Sequence, residues 1–262
     1  MRNERTDSLS RPRSGVPYCI IFFLLFWWMS AIFLQHASGT SFLVRDCALR
    51  ALFGAAELYL FVKDFKKGSW SNVLHFRHFK EGLLPGAGLF LVMLFELLVL
   101  AAALVGGTFN VGAGITAQYL FLDLFLKRFT TGFWEEMTFR GLLLEGYFSS
   151  ENRIWKTRLG YAVLSFVLFG LPHAMEYSSV PLALFRFLIT GATGFVFAAM
   201  YLYSHNLLCC MLLHFIYGVF AAAVSVNSVW YVLTLVVLIA LAFLIATVFI
   251  FKEPVNERTE ET

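Results

Sequence analysis

The sequence predicts an all-α, polytopic integral membrane bundle of about eight spans. Three observations predict it. The 262 residues are 59% hydrophobic and only 14% charged, with a mean hydropathy of +0.74, whereas a soluble domain is nearer half apolar and a quarter charged. The apolar residues gather in runs of about 20, enough to cross a bilayer as a helix. Alternating segments of about ten residues, the mark of an outer-membrane barrel, are not evident. The net charge of +3 is small, and no basic cluster with interleaved aromatics points to nucleic acid.

Taken in order, residues 1–15 carry Arg2, Arg5, Arg11 and Arg13 and read as a disordered cytoplasmic arm. The N-terminal membrane helices occupy 16–128, a core 129–226, a last span 227–251 and a disordered, charged tail 252–262. The run Val16 to Leu34 follows a basic start, as a signal peptide would. Its length and its two Trp residues favour an uncleaved first span with the N-terminus inside. The second span, about 42–62, carries Arg45, Asp46, Arg50 and Glu57, and helical spacing lets Arg50 pair with Asp46 or Glu57. Lys63, Lys66, Lys67, Arg77 and Lys80 mark the loop 63–80 as cytoplasmic. The third span, about 82–105, buries Glu96, which reads as a packing partner. Residues 106–115 are Gly-rich and uncharged, as an external loop should be.

The stretch 116–130 is apolar but holds Asp123, Lys127 and Arg128, and is short for a span. It reads as a half-span, a re-entrant helix, or the start of one long helix broken near Thr130-Thr131-Gly132. The helix then runs to about Tyr147, and Arg153, Lys156 and Arg158 bring the chain back to the cytoplasm. In the fifth span, about 159–176, Pro172 should kink the helix beside His173. The sixth, about 181–203, repeats small residues at Thr190, Gly194 and Ala198, a close-packing face in membranes. The turn Ser204-His205-Asn206 leads to the seventh, about 207–226, which carries His214; the last, about 229–251, has no ionisable residue and reads as peripheral. Both termini are expected in the cytoplasm. Cys19, Cys47, Cys209 and Cys210 make no C-x-x-C spacing and read as packing residues.

The stretch Thr131 to Gly141, TGFWEEMTFRG, places Glu135, Glu136 and Arg140 inside an otherwise lipid-compatible segment. A charge at the bilayer centre is unfavourable by about 2.5 kcal/mol or more, so such residues need partners or a wet cavity. Glu136 and Arg140 share a helix face, whereas Glu135 is turned about 100° away. His173 and His214 lie in two further apolar spans. A carboxylate and two imidazoles are what hydrolysis in a water pocket requires: a base for water and donors for an oxyanion. The bland reading is a buried ion pair and two helix-to-helix hydrogen bonds.

In these residues the chain resembles the intramembrane endopeptidases that include the type II CAAX prenyl proteases and the bacteriocin-processing and immunity proteins, the CPBP or Abi family. Glu135, Glu136 and Arg140 match its E-E-x-x-x-R motif, Phe169 and His173 its F-x-x-x-H, and His214 the start of its H-x-x-x-N. The final position of the third motif is Gly218, which has no side chain to donate to an oxyanion. A water, or another residue such as Asn206 or Tyr217, would substitute for it; otherwise catalysis is slower or the chain is not a protease. The resemblance covers roughly 130–220, so 129–226 becomes the catalytic core. It implies peptide-bond hydrolysis: Glu135 as general base, His173 orienting the water, His214 steadying the oxyanion, and Glu136 with Arg140 holding the site. It also implies a peptide or protein-tail substrate met at the cytoplasmic side or within the bilayer, with membrane lipid around it and no nucleic acid. A glutamate-type mechanism without a cofactor is the version that the resemblance favours. A zinc version would use Glu135, His173 and His214 with one open position. A non-catalytic immunity or scaffold protein and a proton-linked transporter are the competing functions.

Overall fold

A computed structural model describes residues 15–66, 68–107, 116–148, 153–224 and 228–255. The expected N-terminal arm up to 14, most of the Gly-rich loop (108–115) and the tail beyond 255 lie outside the described residues. The regular structure of the described residues is helical throughout. The helices are α1 (Val16–Phe33), α2 (Gly39–Phe65), a short α3 (Phe79–Leu83), α4 (Ala87–Val105), α5 (117–148), α6 (Trp155–Met175), α7 (Val180–Ser204), α8 (Leu207–Ala223) and α9 (Val229–Phe251). Five of them, α1, α4, α6, α7 and α9, are long and apolar enough to cross a membrane by length and composition. The expected total of about eight would also need α2, α5 and α8, which are charged or short. These three carry most of the interior polar groups.

Helix α5 differs from expectation at its middle. There is no break at Thr130-Thr131-Gly132; the helix runs on, widened to π geometry at Leu122–Lys127 and again at Met137–Leu142. The Thr130 hydroxyl donates back to the carbonyls of Leu126 (2.9 Å) and Lys127 (3.1 Å) and so stays within the helix. Gly132 serves packing: a Cβ there would lie 3.3 Å from the Phe215 backbone nitrogen of α8. The charges that made 116–130 awkward are paired, Asp123 with Lys127 at 3.7 Å and with Arg128 at 3.6 Å. π turns recur at functional sites, and the second follows Glu136 directly.

Helix α7 is the centre of the bundle, buried from Gly191 to Ser204. Its small face lets α6 approach closely: a Cβ on Gly194 would lie 2.8 Å from Phe169 Cβ, and one on Gly170 2.7 Å from the Phe187 carbonyl. On its other side lies α9, which also meets α4 where a Cβ on Gly88 would overlap Ala242. There Tyr231 donates to Glu96 at 2.7 Å, the packing role expected of that acid.

A buried polar cluster closes the end of the bundle beneath the basic loops. Glu145 accepts from Lys66 Nζ (2.6 Å) and from the Tyr201 hydroxyl (2.9 Å), and His205 Nε2 lies 3.0 Å away. This ties α2, α5 and the α7–α8 turn together. Burial pushes the His205 and His75 rings below the ordinary imidazole range, so both resist charging beside Lys66. Asn206 caps α8, accepting from Cys209 N at 2.8 Å, and donates to the carbonyls of His75 (3.0 Å) and Arg77 (2.7 Å).

Candidate active site

Glu135, Glu136 and Arg140 come from one turn of α5, and each finds a partner on a different helix. Arg140 is fully buried. Its Nε stands 3.2 Å from Glu136 Oε2, and Nη2 donates to the Gly194 carbonyl of α7 at 3.0 Å. The rest of the guanidinium lies between the rings of Phe169 and Phe197, at 4.8 and 5.3 Å from their centres. Aromatic faces are favourable neighbours for a cation once water is excluded. The i, i+4 pair expected from the sequence is therefore present, and Gly194 provides both its space and its acceptor.

His214 reaches in from α8. Its Nδ1 lies 2.6 Å from Glu136 Oε1, and its ring stacks on Phe197 at 4.9 Å. Against a carboxylate, which only accepts, Nδ1 is the donor. This turns Nε2 toward Glu135, 3.7 Å from Oε2. Glu135 thus stands between His214 on one side and, on the other, Arg50, whose Nη1 is 3.6 Å from Oε1. Arg50 also pairs with Asp46 at 3.0 Å, as helical spacing allows. Its other expected partner, Glu57, instead accepts from the Thr138 hydroxyl at 2.8 Å.

Beside Glu135 lies a cavity of about 90 Å³, room for a few water molecules. Its polar lining is Arg50, Glu135, His173 and Glu176. Phe26 and Trp27 of α1, with Trp134, Phe139 and Phe169, make an aromatic wall. His173 sits in the last turn of α6, next to Pro172, which also lines the space. Proline lacks the N–H that would bond the Leu168 carbonyl, which loosens the helix at the cavity wall. His173 Nδ1 faces Glu176 Oε1 at 3.7 Å, and that proton donor holds the Glu176 carboxyl below its ordinary range.

The five residues singled out in the sequence therefore stand around one point. Glu135 and His173 share the cavity wall, while Glu136, Arg140 and His214 form the buried support behind Glu135. His214 does not line the cavity; it lies behind Glu135 and Phe169, which do. The two candidates to stand in for Gly218 point elsewhere: Asn206 is the α8 cap, and Tyr217 packs with Val92, Ala192 and Ile239. Among the described residues no three His, Cys, Asp or Glu side chains are gathered as a metal-ligand set. Sequence reasoning missed Arg50 as a wall residue and the whole contribution of α1. The signal for Arg50 was present, a fixed cation in a lipid-facing run, but its reach across to α5 was not.

Residues 116–220 match the family model for type II CAAX prenyl endopeptidases, Rce1-like. This stretch of the chain is similar to the CAAX endopeptidases. The match runs from α5 through α8 and so contains all five site residues. Comparison with curated proteins and with solved structures returned no match. The likeness supports a general activity, that of a protease embedded in the membrane and acting on a protein or peptide.

Proposed function

We propose that this protein is a CAAX-type endopeptidase that hydrolyses a peptide bond near the end of a membrane-tethered protein tail, using a water held in the cavity between Glu135 and His173. The observation that carries this reading is the shared wall: one carboxylate and one imidazole face the same small, aromatic-lined space. Glu135 takes a proton from water, and the water oxygen bonds to the scissile carbonyl carbon as the C=O pair moves onto oxygen. Collapse breaks the C–N bond, and the proton on Glu135 passes to the leaving amine. His173 orients the water. His214, fixed by Glu136, aims Glu135, and Arg140 balances the second carboxylate so that like charges do not oppose each other.

No step in this mechanism passes through a metal. Turnover by the purified protein is expected to persist in strong chelators, with far less than one metal per chain by elemental analysis. Loss on chelation restored by zinc would instead favour the zinc version of the protease.

The site also has a side. Arg158 to His173 is 15 residues, about 22 Å along α6. The cavity therefore lies in the half of the bundle away from the basic loops 63–80 and 153–158. We infer that the substrate reaches it from within the bilayer or from the face opposite those loops, rather than from the cytoplasmic surface. Glu176 is at that end and more than half exposed. A single cysteine at Glu176→Cys, with the native cysteines removed, is expected to react with a membrane-impermeant thiol reagent added outside intact cells. Lys156→Cys is expected to react only after lysis. The reverse pattern would invert the topology.

A further inference from the structure

We propose that Arg50 is the electrophile of this site, the group that stabilises the oxyanion in place of the donor that Gly218 cannot supply. The inference rests on the hydrolase reading above and assigns a residue that lies outside the matched segment.

Three observations carry it. First, position 218 does not face the reaction space: a Cβ added there would lie 3.5 Å from Arg128 Cδ, against the aliphatic stem of that side chain. Second, His214 is separated from the cavity by Glu135, so a polar group on the wall itself must meet the developing charge. Arg50 is the only Lys or Arg among the cavity-lining residues. Third, its guanidinium is held before substrate arrives. Nε is fixed on Asp46 at 3.0 Å, and the plane lies near the rings of Phe26 (5.4 Å) and Trp134 (5.3 Å). That leaves Nη1 toward Glu135 at 3.6 Å, too long for a strong hydrogen bond and close enough for charge pairing.

The electrostatics follow from where the negative charge moves. In the resting site Arg50 balances ionised Glu135. When Glu135 takes the water proton it becomes neutral, and the charge appears on the former carbonyl oxygen. The net charge of the site is unchanged, and the same guanidinium serves both states without reorganising. A fixed donor aimed where charge develops, in a place poor in water, is the arrangement that favours the transition state over the ground state.

The test uses the full-length protein in proteoliposomes and an internally quenched peptide carrying a farnesylated cysteine followed by two aliphatic residues and a C-terminal residue. Arg50→Gln leaves the buried Asp46 without its cation, so the decisive variant is the double change Asp46→Asn with Arg50→Gln, compared with Asp46→Asn alone. The double variant is expected to lose about 10²–10³ in kcat relative to Asp46→Asn, with KM changed by less than about threefold. Arg50→Lys is expected to recover part of the loss. If the double variant keeps the kcat of Asp46→Asn while Glu135→Gln is inactive, Arg50 is structural and the hydrolase reading survives alone. If Glu135→Gln also turns over normally, both readings fail. A second peptide ending in a carboxamide separates the remaining role for a cation. A loss at Arg50 that appears in KM and vanishes with the amide would mean that Arg50 holds the terminal carboxylate instead, and would overturn the proposal.

Discussion

Glu135→Gln is expected to lower peptide hydrolysis by about 10²–10⁴-fold or more, the range for a lost general base. The fold should remain, because glutamine fills the same volume and Glu135 does not hold the bundle together. Its two contacts with polar side chains, at 3.6 Å to Arg50 and 3.7 Å to His214, are longer than a good hydrogen bond. Arg50 and His214 also keep their shorter partners, Asp46 and Glu136. The variant should therefore elute from size-exclusion as the wild type does, melt within a few degrees of it, and still fail to cleave the quenched prenylated peptide. A folded Glu135→Gln protein with wild-type kcat would leave the site as a support structure, and the immunity or scaffold reading would then stand.

Arg140→Met is expected to act in the opposite way, on stability first. Breaking a buried ion pair from one side leaves an uncompensated charge, at a penalty of about 3–5 kcal/mol. Glu136 is completely buried, and after the change its remaining side-chain partner is His214. The Gly194 carbonyl would also lose its guanidinium donor. Less protein should accumulate in membranes, and unfolding in mixed detergent should occur at lower denaturant. Adding Glu136→Gln should restore much of the stability, since neither charge is then present, but not the activity, because His214 then faces a neutral amide instead of the carboxylate that aims it. A stable, active Arg140→Met protein would show that the pair contributes little to either.

What the sequence made legible was local. Glu136 with Arg140 and Asp46 with Arg50 are pairs four residues apart, and both are present because helix geometry alone brings them together. The fold class followed from composition, and the polar trio from the presence of titratable groups in runs that lipid would reject. What was not legible depends on how each helix is rotated and tilted about its neighbours. Arg50 turns toward Glu135 and not toward Glu57 because α2 lies against α5, with Thr138 taking Glu57. The aromatic wall from α1 reads in the sequence as a lipid-facing run. The cluster of Lys66, Glu145, Tyr201 and His205 joins three distant segments, in which the sequence marks Lys66 only for topology and His205 only as part of a turn. The break near Thr130, one of three readings the sequence left open, is absent, and the Thr130 hydroxyl bonds back to the helix. Asn206 and Tyr217 were reasonable donors by proximity along the chain, but the cap of α8 and the packing beside α9 claim them.

The measurement closest to the central claim is an experimental structure of the wild-type protein bound to a peptide phosphonate, a stable mimic of the tetrahedral intermediate. One phosphoryl oxygen is expected within hydrogen-bond reach of both Glu135 and His173, with His214 behind Glu135 and still on Glu136. A phosphonate seated away from Glu135, or one whose oxygens are held while Glu135 and His173 face different spaces, would contradict the account.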